Sequence, residues 1–303
     1  MLLVFGSLNV DLLFQVATLP RPGETVLCAG YATVAGGKGA NQAAAAAKAG
    51  AAVRMIGQVG DDTFGHYARA ALAAAGVDGT GIATSARATG IAVIGVDRQA
   101  ENQIIVASGA NLDTDPGQID DAGLTPDVTV LCQNEVRPEA TGALLVRAKA
   151  RGARTILNLA PATAVPGPVL DALDLLVVNR LEAAMAAGRD GDPAALAREL
   201  AARHALTCVV TLGSAGALAI APDGGWRIGA LAVAASDTTG AGDTFVGVLA
   251  AALDRGLALP DALRRASVAA ALATTRIGAQ TSQPDRAAIE ARLPDLAPAA
   301  PLL

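Results

Sequence analysis

From residue 128 onward the chain alternates short apolar runs with stretches of helical spacing. Val128–Leu131, Thr155–Leu159, Leu175–Val178 and Cys208–Leu212 have strand length, and the segments 138–149 and 193–202 between them have helix length. Strands joined through crossover helices pair in parallel, and continuous rather than alternating apolar runs mean that both sheet faces are covered. The opening follows the same rule, with strands at Leu2–Phe5 and Val53–Val59 and helices at Gln42–Ala49 and 63–75. Two stretches break the rhythm. Leu12–Val16 and Thr25–Val34 read as strands around the turn Leu19-Pro20-Arg21-Pro22-Gly23, and Gly90–Val96 and Gln103–Ala107 form a hairpin-like pair around Asp97–Asn102. They predict a small β excursion from a larger parallel sheet.

Length and composition fit that class. At 303 residues and 52% hydrophobic, the chain can build one large α/β domain or two modest ones with a sizeable core. A net charge of −5 argues against a general nucleic-acid binder, and 2% aromatic content argues against stacking platforms for single strands. Cys28, Cys132 and Cys208 lack metal-site spacing and read as buried thiols in a reducing compartment. The uncharged run Ala205–Pro222 is long enough to suggest a membrane span, but Thr211, Gly213, Ser214 and Gly216 split it into two strands around a glycine turn. No basic segment precedes Asp11, so no secretory signal is expected and a cytoplasmic location is.

Chemistry concentrates in a few polar stretches. Ser236-Asp237-Thr238-Thr239-Gly240-Ala241-Gly242-Asp243-Thr244-Phe245 is a small-residue turn opening an apolar helix. Its glycines admit a ligand close to the backbone, and first-turn amides favour an anion. Asp243 beside such a site is either an ordinary first-turn acid, which the dipole favours, or a base for an attacking hydroxyl. Gly36-Gly37-Lys38-Gly39-Ala40-Asn41 opens a second helix and matches neither a Walker A loop nor a dinucleotide fingerprint. Gly6–Asp11 reads as a loop leaving the first strand, with Asn9 and Asp11 two residues apart and so on one side where the segment is extended. Gln133, Glu135, Asn158, Asn179, Glu182 and Thr211–Gly216 add a row of polar groups at strand ends. Each alone suits a turn or cap; together they form the rim of a site in an open α/β sheet.

On these residues the chain resembles the ribokinase-like family of carbohydrate and nucleoside kinases. Asn9-Val10-Asp11, Gly36–Asn41, Gly109-Ala110-Asn111, Asn179 with Glu182, Thr211–Gly216, Asp237–Phe245 and Thr275–Gln280 stand in the family's order. The resemblance implies a three-layer α/β/α fold with a mostly parallel central sheet and a small β-sheet lid. The core would be 1–11, 36–88 and 108–303, and the lid 12–35 and 89–107. It further implies that Asn9, Asp11, Gly37, Lys38, Asn41 and Glu135 hold the sugar, and that Asp243 is the base. Amides of Gly240, Ala241 and Gly242 would form the anion hole. Asn179, Thr211, Gly213, Ser214, Gly216, Gly242 and Ser267 would bind ATP, and Glu182 would organise Mg²⁺ through water. A potassium site would draw on Asp237, Thr239, Thr274, Gly278 and Ser282.

Where the family often carries a second acid after the asparagine, this chain has Arg180. The expected reaction is ATP-dependent phosphorylation of D-ribose at its 5-hydroxyl. 2-Deoxyribose, fructose or a nucleoside are alternative acceptors, and a non-catalytic sugar-binding regulator is the alternative of another class. No nucleic-acid or membrane partner is expected. A homodimer through the lid is, because strands such as Thr25–Val34 would gain from a partner.

Overall fold

In the computed structural model, which describes residues 1–99 and 101–302, strand β1 (Leu2–Phe5) sends Leu2 and Val4 to one face of a central sheet and Leu3 and Phe5 to the other. This is the period-two alternation of a strand covered on both sides. Parallel pairing joins β1 to β4 (Val53–Gly60) and β8 (Thr129–Cys132), with β5 (Asp78–Ser85) beyond β4. On the other side β9 (Arg154–Asn158), β10 (Leu175–Asn179) and β11 (Thr207–Thr211) continue in parallel. The edge then turns antiparallel through β12 (Ala217–Ala221), β13 (Gly224–Ile228) and β14 (Ala300–Leu302). The uncharged run is thus two antiparallel strands, as its central glycines require.

The first face is covered by α1 (Lys38–Lys48), α2 (Thr63–Ala74), α7 (Ala241–Asp254), α8 (Leu259–Ala273) and α9 (Arg286–Arg292). The second is covered by α3 (Pro138–Ala150), the short α4 (Gly167–Leu170), α5 (Arg180–Ala187) and α6 (Pro193–His204). Fully buried Leu2, Phe5, Leu131, Leu144 and Leu157 each contribute about 1.5–3 kcal/mol to holding these layers together. Alanine-rich helices also let backbones approach. A Cβ on Gly247 would stand 2.4 Å from the Gln42 carbonyl oxygen and 2.8 Å from the Ala45 Cβ, so α7 crosses α1 almost in backbone contact.

A separate four-stranded sheet has the order β3 (Tyr31–Gly36), β2 (Asn9–Gln15), β6 (Gly90–Val96), β7 (Asn102–Ala107). Ala100, in the β6–β7 connection, and Leu303 lie outside the described residues. Two boundaries differ from the sequence expectation. Asn9–Asp11 is strand rather than loop, because β3 and β6 supply backbone partners on both sides of β2. Thr25–Val34 is strand only from Tyr31. The Glu24 N–H turns back to the Arg21 carbonyl at 2.9 Å, and residues 25–30 have no strand beside them. The β propensity of Thr25, Val26 and Leu27 does not make a strand without a neighbour.

Candidate active site

Helix α7 begins at Gly240, whose φ of 72° places it in the left-handed region. A side chain there would be strained, and its Cβ would meet Ala279 at 3.0 Å. Gly242 has open space where a Cβ would be. Of the three amides expected to form an anion hole, that of Ala241 donates to the Thr238 carbonyl at 3.2 Å. Gly242, one residue further, lies in the first turn, where N–H groups have no carbonyl behind them.

Asp243 follows at once, 8% exposed. Its Oδ2 accepts from Asn41 Nδ2 at 3.0 Å and its Oδ1 from Gln42 Nε2 at 2.9 Å. The close α1–α7 crossing at Gly247, one turn along, makes both bonds possible. An acid merely complementing the helix dipole would point to water; this one is held from two sides.

Helix α1 starts at Lys38 rather than Gln42, because Gly37, with φ 88°, supplies the N-cap. A Cβ on Gly37 would lie 2.7 Å from the Asn9 nitrogen. Glu135 braces this end. Its Oε2 accepts from Ser7 Oγ at 2.6 Å and from the Lys38 N–H at 2.9 Å. Asn9 is buried, its Oδ1 accepting from Asn111 Nδ2 at 2.7 Å, and Asn111 Oδ1 accepts the Leu8 N–H at 2.8 Å. The Gly109-Ala110-Asn111 motif therefore fixes the strand end that carries Asn9.

The charges are mutually dependent. Burial, then Glu135 and Asp243, push the Asp11 carboxyl up to about 6, with Lys38 opposing. Asp243 holds the Lys38 ammonium above the usual lysine range, against burial and with help from Glu135, Glu182 and Asp11. Glu182 is raised by burial, with the Asn179 amide and Lys38 opposing. Asn179 and Glu182 cap α5 reciprocally: Asn179 Oδ1 accepts the Glu182 N–H at 2.9 Å, and Glu182 Oε2 the Asn179 N–H at 2.7 Å.

Two clefts meet over these groups. The larger, about 670 Å³, is lined by all seven residues expected to bind the nucleotide: Asn179, Thr211, Gly213, Ser214, Gly216, Gly242 and Ser267. Ser267 is buried and its hydroxyl has no partner among the described residues. The smaller, about 180 Å³, is lined by Lys38, Asn158, Glu182, Gly240 and Asp243, among others. Asn179, Thr211 and Gly242 border both.

The residues expected to hold potassium are drawn together in part. Asp237 Oδ1 accepts the Thr239 N–H and Oδ2 the Gly278 N–H, both at 2.9 Å. Burial pushes the Asp237 carboxyl up, but these hydrogen bonds outweigh it and hold it below the usual range. The Thr274 carbonyl accepts from the Ser236 and Asp237 N–H groups. Ser282 is joined to Ala279 rather than to Asp237, its buried hydroxyl donating to the Ala279 carbonyl at 3.1 Å.

Sequence reasoning missed the apolar wall of the large cleft, Leu231, Val233, Phe245, Ala270 and Ala271. Apart from Phe245, which closes the Asp237–Phe245 stretch, such residues carry no motif. It also gave Gln42 no role, since a lone amide in an alanine-rich helix gives no signal until its partners are known.

Residues 1–286 match the family described as pfkB family carbohydrate kinase. The chain belongs to the pfkB family. This carbohydrate kinase is 35% identical over 292 residues to the ribokinase of Haemophilus influenzae, covering 94% of this chain and 95% of the relative. The ribokinase of Thermotoga maritima superposes with a TM-score of 0.90 at 31% identity, covering 97% of this chain and 99% of that one. Arabidopsis thaliana ribokinase, solved with ribose and ATP, superposes at 0.89 with 30% identity, covering 96% and 98%. A deoxyribokinase of Salmonella typhi is 33% identical over 296 residues, covering 93% of this chain and 94% of the relative. Among the described residues, no helix is long and apolar enough to cross a membrane.

Proposed function

We propose that this carbohydrate kinase transfers the γ-phosphoryl group of ATP to the 5-hydroxyl of D-ribose, giving ribose 5-phosphate and ADP. The observation that carries this is the position of Asp243: it lines the small cleft that adjoins the nucleotide-sized one through Asn179, Thr211 and Gly242, and on its other side its carboxylate is held by Asn41, one of the residues expected to hold the sugar. ATP would lie along Thr211–Gly216 with its base toward Ser267 and the apolar wall, and its phosphates would reach the start of α7. Gly242 has no side chain to obstruct them, and the first-turn amides stabilise the equatorial oxygens of the transferring group. The sugar would be held by Asn9, Asp11, Asn41 and the Gly37–Lys38 backbone, with Glu135 bracing that end of α1. Asp243 takes the proton as the hydroxyl attacks in line. Lys38, near the Asp243 and Glu182 carboxylates, offsets the charge that accumulates there.

Two cations fit the residues present. Glu182 has one oxygen engaged by the Asn179 amide and its side chain on the small cleft, which suits a Mg²⁺ held mainly by phosphates and water. That ion would offset phosphate charge. A single carboxylate, Asp237, beside the Thr274 carbonyl suits a large monovalent cation such as K⁺ better than a divalent one. The four-stranded sheet would close over the sugar and exclude water as a competing acceptor. Its outer strand β7 leaves Ile104, Ile105 and Val106 exposed on an edge, which supports a homodimer through this sheet. Cys132 and Cys208 are buried as expected while Cys28 is exposed, on a segment with no core to cover it, and all three, unpaired among the described residues, support a cytoplasmic setting.

The test is ADP release from MgATP with ribose, 2-deoxyribose, fructose or adenosine, each in K⁺ and in Na⁺. We expect ribose to give the highest kcat/KM, with turnover higher in K⁺. A preference for 2-deoxyribose would keep the chemistry and change the substrate. No turnover on any sugar would overturn the proposal.

A further inference from the structure

Behind Asp243 lies a run of buried amide side chains that the phosphoryl-transfer scheme does not use. Gln42 Nε2 donates to Asp243 Oδ1 at 2.9 Å and to Asn158 Oδ1 at 2.8 Å, so both hydrogens of this amide are engaged. Gln42 Oε1 in turn accepts from Gln133 Nε2 at 2.7 Å. Asn158 is anchored to the sheet, its Nδ2 donating to the Val177 carbonyl at 3.1 Å. Gln42 and Gln133 are completely buried.

The direction of these bonds is fixed by Asp243. A carboxylate only accepts, so Gln42 must present its NH₂ to it, and its oxygen must then face Gln133. Gln133 must therefore donate, which leaves Gln133 Oε1 buried without a partner among the described residues. Reversing Gln133 would set two oxygens against each other; reversing Gln42 as well would aim an oxygen at the carboxylate. An unpaired buried oxygen costs stability, so the arrangement is kept at the expense of the fold. Room is also made for it. A Cβ on Gly6 would lie 2.0 Å from Gln133 Oε1, so the strand-end glycine admits this amide.

We infer that Gln42 is a positioning residue for phosphoryl transfer: its amide, polarised by Gln133 and steadied by Asn158, holds the Asp243 carboxylate in the orientation that receives the sugar proton. Asn41 occupies the other oxygen, so the two bonds fix rotation of the carboxylate about its Cβ–Cγ bond. A base swung out of line with the attacking hydroxyl loses rate without losing substrate affinity. The inference rests on Asp243 being the base proposed above.

The test compares Gln42→Met, Gln133→Leu, Asp243→Asn and the double variant Gln42→Met/Asp243→Asn. The readouts are kcat and both KM values, with thermal unfolding and ATP binding as checks on the fold. We expect Gln42→Met to lower kcat about 10- to 100-fold while both KM values stay within about twofold. Gln133→Leu, which does not touch Asp243, should give a smaller loss of the same kind and serves if Gln42→Met fails to fold. In the Asp243→Asn background, Gln42→Met should cause no further loss of kcat. A folded Gln42→Met or Gln133→Leu with unchanged kcat overturns the positioning role alone. An Asp243→Asn enzyme that keeps wild-type turnover overturns the base assignment beneath it.

Discussion

Glu135 and Lys38 meet through the backbone as well as through their charges: Glu135 Oε2 accepts the Lys38 N–H at 2.9 Å. The same oxygen accepts from Ser7 Oγ, so one carboxylate ties β1, the turn after β8 and the start of α1 together. Charge-assisted bonds of this kind contribute about 1.5–3 kcal/mol each. Glu135→Ala should lower unfolding free energy by about 2 kcal/mol and raise the sugar KM, since Asn41 follows on the same helix. Urea denaturation with steady-state kinetics checks both. A variant of wild-type stability would show that the brace carries no weight.

Gly240 and Gly242 look alike in sequence and differ in what they tolerate. Gly242→Ala meets open space, and alanine favours a helix by about 0.5–1 kcal/mol over glycine, so the fold should be as stable or more so. The methyl enters both clefts, and kcat/KM for ATP should fall at least about tenfold. Gly240→Ala should lose stability by about 1–3 kcal/mol through its positive φ. Thermal unfolding and kinetics on the pair separate the effects; equal stability losses would contradict the assignment.

Asp11 titrates near 6 in the folded protein against a reference of 3.8, so the native state binds more protons than the unfolded one between these values. Stability from this group therefore falls as pH rises from about 4 to about 6 and is flat above. Asp11→Asn should lack that slope, its stability relative to wild type rising across the window. In the proposed function sugar hydroxyls would donate to the charged Asp11 carboxylate, so the wild-type sugar KM should increase as pH drops below 6. Parallel unfolding curves for the two proteins from pH 4 to 7 would contradict this.

Much of this site was legible because its residues are contiguous. GGKGAN and DTTGAGDTF each hold a glycine required by backbone approach next to a polar group, a signal visible within ten residues. The rim of the large cleft was legible for another reason: Asn179 and Thr211 end apolar strands, where open sheets place their clefts. Gln133 was expected on that rim and is instead completely buried against Gln42, whose part was illegible because it lies in a contact across 91 positions. The strand at Asn9–Asp11 was hidden because turn-forming residues can be held extended by two neighbouring strands. Thr25–Leu27 failed in the opposite sense, having strand-forming residues with no strand alongside.

Strand β7 offers Ile105 at 72% exposure on the edge of the small sheet. Ile105→Lys should convert a dimer to a monomer by sedimentation velocity at micromolar concentration, with the fold unchanged. A wild-type protein that sediments as a monomer would contradict the proposed pairing.

The most direct measurement is ribose-dependent ADP release by wild type and Asp243→Asn, with ribose and ATP binding measured on the same preparations. General-base loss predicts a fall in kcat of about 10²- to 10⁴-fold with both affinities preserved. Turnover by Asp243→Asn within a few-fold of wild type, with both substrates still bound, would contradict the assignment of Asp243 as the base.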